Sequence, residues 1–157
     1  MLLVIFYLGK DPYALESSQV VEIVPRILLK ELPHAPAYVA GLFDYRGVIV
    51  PVIDLCRMTQ GRACSDHLST RVILVRYPYD GDDGRKKRVL GLLAERVTET
   101  IEKSEADWAA PGVSVDEAAY LGDVISDARG IIQCLRVERL LPQSVRDLLF
   151  KEQESQP

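Results

Sequence analysis

The sequence is poor in the residues that most often carry metal or nucleophilic chemistry. Its two histidines, His34 and His67, have no second histidine, cysteine or carboxylate at zinc-ligand spacing. Its three cysteines, Cys56, Cys64 and Cys134, are an odd number with no pair at that spacing, which argues for reduced thiols rather than a disulfide framework. No glycine-rich phosphate loop and no Gly-x-Ser-x-Gly elbow occur. Asp80, Asp82, Asp83 and Gly84 resemble a calcium loop, but Gly91 stands where the closing glutamate belongs. No metal and no cofactor are therefore expected. Apolar runs stop well short of the roughly 18 residues of a membrane span, so no membrane insertion is expected. Leu2 to Leu8 has neither a basic leader nor a small-residue cleavage site, and reads as a first strand rather than a signal core. The formal net charge is −4. The one basic run, Arg85 to Arg88, follows three aspartates that largely cancel it, which disfavours a nucleic-acid partner.

What is present is an ordinary globular composition: 157 residues, 48% hydrophobic and 27% charged. That length suits one domain with its own core, expected over residues 1–150, followed by a disordered polar tail over 151–157. The chain is organised around Gly41 to Leu55. Val48 to Ile53 is apolar enough to predict a strand covered on both sides. Pro51 cannot donate to a ladder, so an edge or a bulge is expected there. Gly41 and Gly47 mark positive φ or a close neighbour. Between them Asp44-Tyr45-Arg46 puts a forked cation at the rim of a rigid strand, suited to recognition and to a structural ion pair alike.

Around this stretch the chain punctuates into short elements. Leu2–Leu8 and Tyr13–Leu15 predict a hairpin. Ser17 or Ser18 can cap a short helix carrying Val20, Ile23, Val24 and Ile27 on one face. Leu28–Leu32 reads as a strand, and His34–Gly41 as one or two helical turns. Arg57–Ser69 has no period and predicts a loop. Thr70–Val97 predicts a long hairpin with a charged tip around residues 80–88, and Thr98–Ala119 an irregular polar stretch. Tyr120–Ile125 and Ile131–Leu135 predict strands, and the residues after Pro142 a closing helix. Eight to ten short strands with three short helices make the fold mainly β, a small barrel or sandwich. The alternation of strand and helix that a nucleotide-binding sheet requires is missing.

Chemistry has few candidates. Cys64, in a predicted loop near His67, is the one thiol placed for reactivity, and a small cytosolic enzyme using it or a surface carboxylate is the alternative function. An interaction protein, working through apolar grooves and strand edges, accounts for more of the sequence.

A family resemblance agrees with that choice. The opening hairpin, Val20-Val21-Glu22-Ile23, Leu32-Pro33 and Pro36-x-x-Val39-x-Gly41 follow in order the pattern of CheW-like domains. Asp44-Tyr45-Arg46-Gly47 resembles that family's Asn-Leu-Arg-Gly turn, and Ile49-Val50-Pro51-Val52-Ile53-Asp54-Leu55 its Ile-Pro-Val-Ile-Asp-Leu strand. Gly91 to Val97 and Gly130 to Leu141 resemble later strands, so the resemblance spans about residues 2–142. It implies two intertwined five-stranded SH3-like β-barrels with a few short helices and a hydrophobic groove between them. It further implies a non-catalytic cytoplasmic scaffold that couples methyl-accepting chemoreceptors to a CheA-type histidine kinase. One barrel would dock on the kinase's regulatory domain, and the groove would take the receptor's cytoplasmic tip. Carried over residue by residue, the partner-binding positions are Arg46 and Gly47 from the turn, Glu22 from the Val-x-Glu-Ile segment, and Gly41. Asp44 and Tyr45, which depart from the family's Asn-Leu, join them. These departures, the charged 80–88 tip and the surroundings of Trp108 imply a specialised paralogue, of the Wsp type of surface sensing.

Overall fold

The computed structural model describes residues 1–78, 88–112 and 116–150. Residues 80–87 of the charged hairpin tip and the C-terminal tail singled out above lie outside these residues. Nine strands are described: β1 (Leu2–Leu8), β2 (Asp11–Glu16), β3 (Val20–Pro25), β4 (Val39–Tyr45), β5 (Val48–Asp54), β6 (Arg71–Tyr77), β7 (Arg88–Glu102), β8 (Leu121–Asp127) and β9 (Gly130–Leu135). Two α-helices accompany them, α1 (Leu55–Gln60) and α2 (Gln143–Phe150).

One strand belongs to two sheets. The first half of β7 pairs with β6 through Ala94 and, in parallel, with β5. From Glu95 onward β7 pairs with β1. The strands thus divide into β3, β4, β5, β6 and β7 on one side, and β1, β2, β7, β8 and β9 on the other. Two five-stranded units sharing a long strand are what the family resemblance implies. The changeover carries a register shift opposite Ile5–Tyr7, and Arg96 there has φ 47°. A bulge of this kind re-aims a strand.

The core explains why the first strand resembled a signal segment. Val4, Phe6 and Leu8 of β1 point into the large core, whereas Leu3 and Ile5 point into a second, smaller one with Ala14, Ile125 and Ile132. A strand lying between two cores is apolar on both faces. The same pattern was expected for Val48 to Ile53, and there it holds only in part: Val50 to Ile53 are buried, but Val48 and Ile49 are 56% and 50% exposed. Pro51 is accommodated as anticipated, since pairing of β5 to β7 begins only at Val52.

Several local expectations are corrected. Residues 20–25 form a strand, not a helix: Val20, Val21, Ile23 and Val24 satisfy both apolar periods, and β-branched side chains favour the extended one. Residues 34–38 form turns rather than a helix, with His34 at φ 66° and the Val39 N–H donating to the Pro36 carbonyl at 2.9 Å, and residues 39–41 already belong to β4. Of Leu28–Leu32, only Lys30 pairs, in a single bridge to Leu42. Residues 98–102 continue β7, their polar composition reflecting an exposed outer edge. Helix α1 occupies the start of the expected loop. Its N-terminus is capped by the Asp54 carboxylate, which accepts from the Arg57 N–H at 3.0 Å, and Gly61 ends it at φ 73°.

Candidate functional site

The Tyr45-Arg46-Gly47-Val48 turn joins β4 to β5. Arg46 and Gly47 both have positive φ, 52° and 86°, as a two-residue hairpin turn with the strands' own twist requires. Asp44 is absorbed by this turn: its Oδ1 accepts from the Gly47 N–H at 2.7 Å. Arg46 instead reaches across to β3, donating from Nη2 to Glu22 Oε1 at 3.0 Å. The Tyr45 hydroxyl donates to the same oxygen at 2.6 Å, and the Arg46 guanidinium lies 5.1 Å from the Tyr45 ring centre. Donation to the carboxylate, with some burial, raises the Tyr45 phenol above its ordinary value. Of the two nearby carboxylates, Glu22 pairs with Arg46 and Asp44 serves the turn.

This cluster ties β3 to the β4–β5 tip, two elements that share no ladder. It remains wet, however. The Arg46 side chain is 76% exposed and that of Glu22 38%, so the ion pair itself contributes little to stability. Beside it, Val48 and Ile49 present aliphatic side chains to solvent. Gly41 sets the base of the same hairpin. A Cβ there would stand 2.6 Å from the Lys30 carbonyl oxygen, and φ is 147°. The Lys30–Leu42 bridge, with N–H to O distances of 2.8 Å in both directions, passes through that gap.

A cleft of about 480 Å³ opens where the two sheets meet. Val4 and Val97 are its buried apolar floor, and Ile23, Pro25 and Arg71 line it with residues 98–100. Side chains alternate along β3, so Ile23 and Pro25 face the cleft while Glu22 and Val24 face the other way. The Glu22–Arg46 cluster and the cleft thus occupy opposite faces of one strand. Sequence reasoning missed the cleft residues because the helical assignment of 20–27 placed Ile23 on the wrong face; the alternation Val21, Ile23, Pro25 was the available signal.

At the point where β7 changes sheets lies a second carboxylate hub. Glu95, 6% exposed, accepts from the Gly9 N–H at 2.9 Å, the Ser65 N–H at 2.7 Å and Arg62 Nη2 at 3.1 Å. Burial alone would raise its pKa, but the bonds from Arg62, Ser65 and Gly9 outweigh it and hold the carboxyl well below the usual range. Arg96 caps the junction, 4.8 Å from the Tyr7 ring centre.

Neither Cys64 nor Cys134 is placed as a ready nucleophile. Cys64 is buried, not displayed on a loop: its Sγ donates to Asp54 Oδ1 at 3.2 Å. The adjacent Cys56, burial and the Asp54 carboxylate all push its thiol up. Burial, with Glu16 and Asp123 nearby, raises Cys134 to about 11. Neither forms the ready thiolate that nucleophilic chemistry needs at neutral pH.

Two sheets joined through one strand, with an apolar cleft at the junction and a polar cluster on a hairpin rim, define a β-sheet interaction module. Residues 2–145 match the family model described as the CheW-like domain, and the chain belongs to that family of non-catalytic chemotaxis scaffolds. The chemotaxis protein CheW of Rhizobium meliloti is 24% identical over 147 residues, covering 92% of this chain and 90% of that protein. CheW of Treponema pallidum is 28% identical over 145 residues, covering 88% and 80%. Among solved structures, the scaffolding protein TtCheW from Thermoanaerobacter tengcongensis superposes with a TM-score of 0.78 at 24% identity, over 92% of this chain and 89% of that one. That likeness shows the fold. Among the described residues no helix is long and apolar enough to cross a membrane.

Proposed function

We propose that this chain couples methyl-accepting chemoreceptors to a CheA-type histidine kinase, on the cytoplasmic side of a receptor array. The observation that carries the proposal is the pairing of two separate, chemically distinct surfaces on one rigid double sheet. A coupling protein needs two partners engaged at once, and opposite faces of β3 allow it. The cleft, with an apolar floor and polar rim, suits the apolar side of a receptor's helical hairpin tip. The β4–β5 rim offers Arg46 beside Val48 and Ile49, a cation framed by aliphatic area, to the kinase's regulatory domain. Glu22 and Tyr45 orient the guanidinium, Asp44 and Gly47 shape its turn, and Gly41 seats the hairpin.

Co-purification of the full chain with the kinase regulatory domain and, separately, with a receptor tip fragment tests this. Arg46→Ala is expected to weaken kinase binding by at least about tenfold, the size of an interface hot spot, while receptor binding persists. Ile23→Glu, in the cleft, is expected to do the reverse. Loss of both partners in either variant, with the fold intact by circular dichroism, would reject two independent surfaces. Failure of the wild type to bind either partner would reject the coupling role.

A further inference from the structure

The coupling surfaces use none of the groups gathered at the start of α1. Asp54 ends β5 and caps the helix, Cys56 is the helix's second residue, and Cys64 follows in the loop beyond Gly61. One carboxylate oxygen and two sulfurs from these residues all lie within 4.8 Å of one another. All three side chains are at least nine-tenths buried, with Asp54 and Cys64 5% exposed and Cys56 0%. The Cys64 sulfur is 3.2 Å from Asp54 Oδ1 and 3.5 Å from the Leu93 carbonyl oxygen. A tetrahedral zinc ion, with bonds of about 2.3 Å to sulfur and about 2.1 Å to oxygen, needs sulfur–oxygen separations of roughly 3.6 Å and sulfur–sulfur separations of roughly 3.8 Å. The existing spacing is within reach of small side-chain rotations.

We propose that Asp54, Cys56 and Cys64 form a buried site for one thiophilic divalent cation of the zinc class. The donor set decides the class. Two thiolates and a carboxylate favour a borderline-soft ion and disfavour magnesium or calcium, which take oxygen donors. The charges balance: two S–H bonds are replaced by two metal–sulfur bonds, two protons leave as one dication enters, and the net charge of the cluster is unchanged. Arg62, in the loop that leads to Cys64, is bonded to Glu95 at 3.1 Å. Spacing in the sequence conceals the site, since α1 and its glycine cap fold back between the two cysteines. An ion there would pin the 61–65 loop to the end of β5 and, through Arg62 and Ser65, brace the Glu95 hub.

Refolding the reduced full chain with cobalt(II) tests the site and removes any barrier to entry. The expected result is a sulfur-to-cobalt charge-transfer band that saturates at one ion per chain and is displaced by zinc. Cys56→Ser and Cys64→Ser, each verified as folded by circular dichroism, should lose the band, and Cys134→Ser should keep it. Absence of the band in folded wild type, or its survival in both serine variants, overturns the proposal. If a serine variant does not fold, alkylation of the wild type under partial denaturation decides instead. Zinc should protect Cys56 and Cys64 and leave Cys134 labelled; equal labelling of all three, or a Cys56–Cys64 disulfide in place of protection, overturns it.

Discussion

Glu95 and Glu22 carry the same chemistry in two regions of the molecule, and they do different work. Each carboxylate holds an arginine, at 3.1 Å and 3.0 Å, and each takes at least one further donor. Glu95 lies at the crossing of the two sheets, nearly out of water, where it accepts from two backbone N–H groups. Glu22 lies on a rim, with its arginine mostly solvated. In the first region, the carboxylate itself is buried, so losing a partner is costly and the carboxylate is part of the fold. In the second, water can replace a lost partner, so the pair adds little to the fold and its arginine stays available to a binding partner. Burial, not geometry, separates a structural ion pair from a recognition element here.

The largest effect that would break this contrast is at the crossing. Glu95→Ala leaves the Gly9 and Ser65 N–H groups unpaired and is expected to cost about 3 kcal/mol in denaturant unfolding, with the urea midpoint shifted accordingly. A cost no larger than that of a surface substitution would mean the junction is as wet as the rim. The same residue supplies a pH signature. Its folded carboxyl holds a proton less tightly than the unfolded one, so its stabilisation is complete above the unfolded value near 4.5 and is withdrawn as pH falls below it. Stability of Glu95→Gln should therefore fall less steeply with acid than that of the wild type; parallel curves would show that Glu95 is not the group responsible.

Next in size is Gly41→Ala at the base of the rim hairpin. Its Cβ would stand 2.6 Å from the Lys30 carbonyl at a φ that alanine rarely adopts, and about 2 kcal/mol should be lost. A neutral result would mean that the 29–30 segment gives way freely and does not hold the hairpin. The smallest effect sharpens the comparison from the other side. Tyr45→Phe and Arg46→Ala should leave the unfolding midpoint close to that of the wild type, since both partners of the pair keep access to water. A large stability loss in either would make the rim cluster a structural lock and remove the reason for assigning it to a partner.

Much of this architecture was legible because the local signals were unambiguous. The 45–48 turn, with a glycine at a left-handed position, the β8–β9 hairpin around Ala128-Arg129, and the helix after Pro142 each follow from residues adjacent in sequence. Errors clustered where two periods coincide, as at Val20 to Val24, or where a cap decides the element, as at Asp54 with Gly61. In the candidate site, Arg46, Glu22, Asp44, Tyr45, Gly47 and Gly41 were identified by type and by family pattern, and they converge on one hairpin and the neighbouring strand. That Glu22 rather than Asp44 receives Arg46 depends on how β3 passes the hairpin tip, a separation of 24 residues that no local rule reaches.

Composition, turn chemistry and the apolar stretches by themselves determined that this is a mainly β domain with short helices, an acidic surface balance and no membrane-length apolar segment. Those are properties of neighbouring residues and of totals. The tertiary structure alone decided that one 15-residue strand serves two sheets, that Ile23 and Glu22 look to opposite faces, and that Glu95 and the Asp54–Cys56–Cys64 group are buried. Burial and long-range pairing arise only when distant strands close on one another, and they set the local dielectric that gives identical side chains different roles.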